Sequence, residues 1–478
     1  MKYFQKIRFI HIFYCIVILF FVAVALDITP YLRGPAPYPP EWRWSYLFIN
    51  IFSRIWAPVL TGSVIILISW FIIQKDNIFI QKQKTVLLFG VIILGFLFQL
   101  SLLYYSRSGI KVLFNRIANP DMNGYFTVAT QVEPQNIPEF LRAFNRNSPG
   151  YPMHARSHPP GGILLFVGLN YLSSKLPAQN TLTAYSPQKS DVAKIWNTLS
   201  PSHKISAVLS GFVIILLSLL AILPLYGIAT ELYGAKAGIY ASFLYISVPA
   251  LSLFAPLPDT LYPLFGLTAL YFMIRFFKKK QFIYLFLTGL FLFIGVFFSL
   301  TVLPVILLLI IYYIMYFTNN GIIACPESPI HDSGVCACWR IPGMTDIRFH
   351  FNNILIYITG FCIIPLMLYT LFQFNIIEVI LTIINTVPDK LRSYPIWLLY
   401  DLYDFFIFVG LPVSLIFWLS GTKFTKKSCL VPAFSERFIF DHDSGISKIA
   451  HRETPLISIS PSSKPASLAA CLRSSLKR

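Results

Sequence analysis

Long apolar runs set the pattern of this chain. Ten stretches, 8–26, 56–74, 85–105, 204–227, 237–255, 260–277, 281–298, 300–317, 353–374 and 402–420, are apolar throughout most of their length. Roughly 20 such residues in a helix cross the ~30 Å hydrocarbon core of a bilayer. The runs therefore predict an all-α, polytopic transmembrane helical bundle. Another run, 161–174, is too short to span with ease. The first run follows Lys2, Lys6 and Arg8, as a signal peptide would, but it is long enough to cross and lacks a clear small-residue cleavage site, so it reads as a retained helix.

Polar residues between the runs assign sides. Basic clusters stay on the cytoplasmic face during insertion. Lys2, Lys6 and Arg8; Lys75, Lys82 and Lys84; Arg275 with Lys278, Lys279 and Lys280; and Lys423, Lys426 and Lys427 should all lie inside. Starting inside, three spans put the loop after Ser106 outside. If 161–174 crossed as well as 204–227, the stretch "RFFKKK" would fall outside, against the rule. If it does not cross, every cluster lands inside. The expectation is thus an interfacial or re-entrant helix at 161–174, which irregular backbone at membrane depth allows only where protein packs around it; a short ordinary span is the alternative. The same count places Asp27, Asp121, Asp259, Asp401 and Asp404 at the outer face. The organisation expected is 1–105 for three N-terminal spans, 106–203 for an outer loop with juxtamembrane helices, 204–420 for the transmembrane core, and 421–478 for a polar, disordered or aberrant tail.

Composition agrees with that picture: 56% of the 478 residues are hydrophobic, only 12% are charged, and the mean hydropathy is +0.66. A net charge of +18 in such a chain reads as cytoplasmic loops facing phospholipid headgroups rather than as a nucleic-acid surface. The seven cysteines include Cys15 and Cys362 inside spans, which argues against an extracellular disulfide framework. "CPESPIHDSGVCACWR", Cys325 to Arg340, has a Cys-x-Cys and one histidine, His331, a poor zinc pattern.

Candidate chemistry gathers in the outer loop, "NPDMNGYFTVATQVEPQNIPEFLRAFNRNSPGYPMHARSHPPGG". Ile137, Phe140, Leu141 and Phe144 form an apolar stripe on a short helix, suited to the membrane surface. A carboxylate, Asp121, among Arg142, Arg146 and Arg156 suits a site where guanidinium holds a phosphorylated lipid and an aspartate deprotonates a hydroxyl; a turn cap and headgroup contacts are the plainer account of each residue alone. In "SHPPGG", Pro159 and Pro160 fix the backbone and Gly161 and Gly162 allow close approach, placing His158 before a helix start. His154 and His158 lack the acidic ligand and helical frame of a zinc motif. Asp259 follows Pro258 at the head of a span, where an ionisable group is a functional candidate or an N-cap. Asp401 and Asp404, three apart at the outer entry of the last span, could bind a cation or a sugar hydroxyl, or mark the interface with Tyr400 and Tyr403. Trp42, Trp44 and Tyr46 read as an interfacial belt.

Taken together, "PDMNGYF", then "SHPPGG", then "LYGAKAG", then "FAPLPDTLYPL" resemble the GT-C superfamily of multispanning glycosyltransferases, and within it the bacterial branch of glycosyltransferase family 39, similar to protein O-mannosyltransferases. The resemblance covers approximately Ile110 to Leu411. Here the family's common acidic pair is Asp-Met at Asp121. The resemblance implies a GT-C-like bundle moving a sugar from a polyprenyl-phosphate donor to a glycan, lipid or protein acceptor on the outer face of the cell membrane, with a cytoplasmic N-terminus. It implies Asp121 as the catalytic base and Asp259 as an orienting acid. It also implies Arg142, Arg146 or Arg156 on the lipid phosphate and His158 at the pocket floor. The full substrate-binding set expected is Arg142, Arg146, Arg156, His154, His158, Tyr125 and Asp404. No metal ligand set and no cofactor are expected, and a divalent ion has no sequence support. A transporter or lipid flippase is the competing class, since many spans with scattered acids also describe carriers; with no internal repeat in view, the acids' common face favours the enzyme. An inactive truncated copy stays open because of the tail.

Overall fold

The computed structural model describes Cys15 and residues 17–35, 43, 52–106, 108–176, 190–323, 347–386 and 394–410. The Cys325–Arg340 cluster, the belt tryptophans Trp42 and Trp44, Tyr46, and the 421–478 tail lie outside the described residues. Among those described, the elements are helices and turns, without a strand. Six helical stretches are long and apolar enough to cross a membrane: Trp56–Ile73, Lys84–Tyr105, Pro201–Tyr233, Ala235–Leu253, Pro258–Lys279 and His350–Phe372. Phe282–Phe298 and Leu300–Tyr316 are shorter apolar helices at the expected places. The molecule is an all-α, multi-pass membrane bundle.

Local chemistry sets the helix ends. Ser200 accepts from the His203 N–H at 3.3 Å and Pro201 occupies the first turn, so the third long helix starts before the apolar run does. The run predicted as one span at 204–227 is two helices, Pro201–Leu219 and Ile222–Tyr233. Pro224 has no N–H to bond the Leu220 carbonyl, and the ladder is interrupted there. Lys280 closes Tyr262–Lys279 in a left-handed conformation, φ 54°, its N–H returning to Phe276.

Packing inside the bundle uses small residues where lipid supplies no hydrophobic drive between helices. A Cβ on Gly360 would lie 2.0 Å from the Phe286 carbonyl oxygen, and one on Gly289 would lie 2.2 Å from that of Tyr357. Phe282–Phe298 and Ile347–Phe372 therefore cross backbone to backbone at these glycines.

The bundle has two chemically different ends. At one, Arg275 and Lys278 bond Glu231, the Lys236 N–H bonds Asn77 at 3.0 Å, and Lys280 reaches Tyr316. Of the basic clusters expected inside, the two that are described, Lys75–Lys84 and Arg275–Lys280, thus lie at a common end. At the other, the helices Pro120–Ala129, Ile137–Asn147 and Gly161–Ser174 form a cap around Tyr125, Phe126, Phe144 and Phe166. Gly161–Ser174 is about 21 Å long at 1.5 Å per residue, well short of the hydrocarbon core. Its first turn touches Tyr125 and its Asn170 donates to the Ala129 carbonyl at 3.1 Å, so it runs alongside Pro120–Ala129 in the same direction. The next described helix, Ser190–Thr198, packs on Val112–Ala118 at this same end.

Candidate active site

The cap brings together segments far apart in sequence. Asn119 caps the Pro120–Ala129 helix, its side-chain oxygen accepting from the Asp121 N–H at 3.0 Å, and leaves the Asp121 side chain exposed in the first turn. Asn123 then departs from helical geometry (φ −148°, ψ 67°), so the usual one-turn relation between Asp121 and Tyr125 does not hold. The kink turns Tyr125 inward. Its side chain is 2% exposed, with the ring packed on Gly162, where a Cβ would stand 3.0 Å away, and edge-on to His158 at 5.7 Å.

The glycines of "SHPPGG" are explained by these approaches. Beyond Gly162 under Tyr125, Gly161 lies so close to the Phe297 carbonyl that a Cβ would sit 2.5 Å from its oxygen. His158 is half-buried, and its Nδ1 stands 3.0 Å from both the Ser157 hydroxyl and the His154 carbonyl. A carbonyl only accepts, so Nδ1 donates to it and Nε2 carries the lone pair of the neutral ring. Burial pushes the His158 pKa down, against the upward pull of the Asp259 charge and of the His154 carbonyl bond, while His154 itself adds to the lowering.

Asp259 completes the cluster from the opposite side of the sequence. It sits in the Pro258–Leu261 turn at the head of Tyr262–Lys279, and the Tyr262 hydroxyl donates to its Oδ1 at 2.6 Å. Such a short bond to a carboxylate is of the strong, charge-assisted kind. Ser299 approaches the same tyrosine. The Tyr125 hydroxyl is buried near Tyr262 without a well-formed hydrogen bond, and burial, then the Asp259 charge, push its pKa up. Tyr125, His158, Asp259 and Tyr262 thus form one cluster. Among the described residues Asp259 has no cationic partner, and no group of three or more His, Cys, Asp or Glu could hold a metal.

The remaining candidates lie elsewhere. Arg156 closes the four-residue Met153–Arg156 helix, two residues before His158, and His154 on the same turn supplies its carbonyl to that ring. Arg142 and Arg146 line a separate groove with Glu378 and Asn375. Asp404 stands half-buried on Tyr394–Val409. That helix is tied to the end of the first span, where Tyr400 and Tyr403 donate to the Tyr31 and Leu32 carbonyls at 3.0 and 2.9 Å.

Two important residues escaped the sequence reading. Tyr262 reads as an ordinary interfacial tyrosine in "DTLYPLF"; its three-residue spacing from Asp259 at a helix entry was the available signal. Arg116 sits between Leu113 and Ile117, both fully buried, and donates to the Leu253 carbonyl at 2.9 Å and to that of Ala255. It ties the segment preceding Asp121 to the segment preceding Asp259. Burial pushes its pKa down, yet a guanidinium keeps its charge at neutral pH. Its signal was only an arginine within an apolar stretch.

Residues 198–325 match the family model described as dolichyl-phosphate-mannose-protein mannosyltransferase. No curated protein and no solved structure matches the chain. The matched segment holds Asp259, Tyr262 and Ser299, while Asp121, Tyr125 and His158 precede it. Over residues 198–325, a minor part of the chain, this multi-pass bundle is similar to the dolichyl-phosphate-mannose-protein mannosyltransferases.

Proposed function

We propose that the protein transfers a sugar from a polyprenyl-phosphate carrier to a hydroxyl acceptor at the outer face of the cell membrane, with its N-terminus in the cytoplasm. One observation carries this reading: the carboxylate of Asp259 is held by Tyr262 and packed about by Tyr125 and His158, while Asp121 stands exposed on the helix that supplies Tyr125. The two acids have different work. An exposed carboxylate is free to accept a proton, and a hydrogen-bonded one is suited to hold a hydroxyl in place.

In this scheme Asp121 takes the proton of the acceptor hydroxyl as its oxygen attacks the anomeric carbon. The bond from that carbon to the phosphate oxygen breaks, the configuration inverts, and the polyprenyl phosphate leaves with the bonding pair. Arg156 meets the phosphate charge, and Asp259 with Tyr262 orients the sugar or acceptor. His158, with Nε2 unprotonated, accepts a hydrogen bond from a hydroxyl at the floor. The two described basic clusters, at Lys75–Lys84 and Arg275–Lys280, lie at the opposite end and support the sidedness.

Asp121→Asn and Asp259→Asn, assayed in membranes with radiolabelled polyprenyl-phosphate sugar, are each expected to lower consumption at least about 100-fold, the scale of general acid–base catalysis. Undiminished consumption in both would remove the catalytic assignment.

A further inference from the structure

A second polar site lies on the same cap. The amphipathic helix Ile137–Asn147 meets the turn between Ile347–Phe372 and Ile376–Thr386 in a groove of about 420 Å³, within the usual range for small-ligand sites of about 300–1,000 Å³. Its polar lining is Glu139, Arg142, Asn145, Arg146, Gln373, Asn375 and Glu378. Phe374 lines it as well, its ring 6.2 Å from that of the buried Phe144 behind it.

The side chains are aligned before any ligand arrives. Asn375 accepts from the Ile377 N–H at 3.0 Å, which fixes its amide, and donates to one Glu378 oxygen at 3.0 Å. Asn145 donates to the other Glu378 oxygen at 3.0 Å. A carboxylate only accepts, so the Asn145 amide orientation is determined. Its own oxygen is then buried with no donor to bond. Beside it stand Arg142 and Arg146, which are donors only and have no ion-pair partner among the described residues.

We infer that this groove is a saccharide-binding subsite, holding the hydroxyl-bearing sugar of the acceptor while transfer occurs at the Asp259 cluster; the word acceptor rests on the function proposed above, the sugar chemistry does not. The buried Asn145 oxygen needs a donor, and leaving it unpaired is costly, while the exposed guanidiniums beside it offer donors that a ligand oxygen can accept from. A hydroxyl supplies both donor and acceptor. A phosphate oxyanion supplies only acceptors and would face two carboxylates, Glu139 and Glu378, whose charge offsets that of the two arginines. The groove is therefore matched to a neutral polyol rather than to the phosphate for which Arg142 and Arg146 were candidates.

Saturation-transfer NMR on the full chain in detergent micelles, with methyl α-mannoside as probe and inorganic phosphate as competitor, tests this directly. Wild-type protein should saturate the glycoside, 10-fold excess phosphate should leave the signal intact, and Glu378→Gln and Arg142→Gln should each reduce it at least about fivefold. Arg142 lies exposed on its helix, so its variant tests the groove without risk to folding. Absence of glycoside signal, displacement by phosphate, or unchanged signal in both variants would overturn the inference. Asp259→Asn should retain binding. A wild-type protein that binds glycoside yet consumes no lipid-linked sugar would defeat the transfer reading while leaving the subsite standing; loss of the subsite with transfer intact would do the reverse.

Discussion

Glu231 and Asp259 lie at opposite ends of the bundle and within the same matched segment, yet they are treated differently. Glu231 is held by two cations, Arg275 and Lys278, in a side-chain cluster that joins Ile222–Tyr233 to Tyr262–Lys279. Asp259, about 27 Å away along the 18-residue helix they share as a boundary, is held by a tyrosine hydroxyl with a second tyrosine and a histidine beside it. A carboxylate neutralised by paired cations has its bonding capacity filled and acts as a strap. One held by a neutral donor keeps its charge and an oxygen for a substrate. The contrast separates an acid whose charge is paired from the one proposed to meet substrate, within one segment.

The contrast breaks most visibly in activity. Asp259→Asn is expected to lose about 100-fold or more in transfer rate while Glu231→Gln stays within about twofold; equal losses in a side-by-side membrane assay would erase the distinction. The scaffold joining the two ends is tested by Gly360→Leu. No side chain fits against Phe286, so overpacking of about 1–3 kcal/mol should lower the thermal midpoint of the detergent-solubilised protein, with any activity loss following unfolding rather than KM. A smaller effect isolates the tyrosine at the working acid. Tyr262→Phe removes one hydrogen bond to a charged group, worth about 1.5–3 kcal/mol, and should lower transfer about 10-fold or somewhat more without altering the amount of folded protein.

The acid limb of stability sharpens the comparison further. His158 has a folded-state pKa below its ordinary value, so below pH ~6.5 the unfolded chain binds a proton that the folded chain resists. Stability should therefore fall as pH drops below that value, and His158→Gln should flatten this limb in thermal scans between pH 7.5 and 5. Smallest of all, Glu231→Gln should cost about 1 kcal/mol or less, because ion pairs partly open to solvent contribute little; a larger fall in the midpoint would make the strap more than a surface pair.

Most of the bundle was readable because membrane spans announce themselves. Trp56–Ile73 and Lys84–Tyr105 fall within a residue of the apolar runs at 56–74 and 85–105, since the requirement for about 20 apolar residues acts on each helix alone. The amphipathic stripe at Ile137–Phe144 appears in the Ile137–Asn147 helix for the same local reason. The break at 220–221 was missed because hydropathy averages over a single proline. Ile376–Thr386 was missed because an amphipathic helix that neither spans nor carries a motif looks like connecting chain. In the site, Asp259, Tyr125 and His158 were all visible as candidates, but neither their gathering into one neighbourhood nor the diversion of Arg142 and Arg146 into another groove was.

By itself, then, the sequence determined the apolar character of the long helices, the common end of the described basic clusters, and the order of the motifs that resemble a glycosyltransferase. These depend on composition and short spacing. Only the tertiary structure decided which polar groups meet: that Tyr262 rather than an arginine holds Asp259, that Arg116 ties the two acidic segments together, and that Asn145 and Glu378, 233 residues apart, share a hydrogen bond. Such pairings arise from how helices cross, and the crossings are set by glycines against backbone and rings against rings, contacts whose partners no local pattern names.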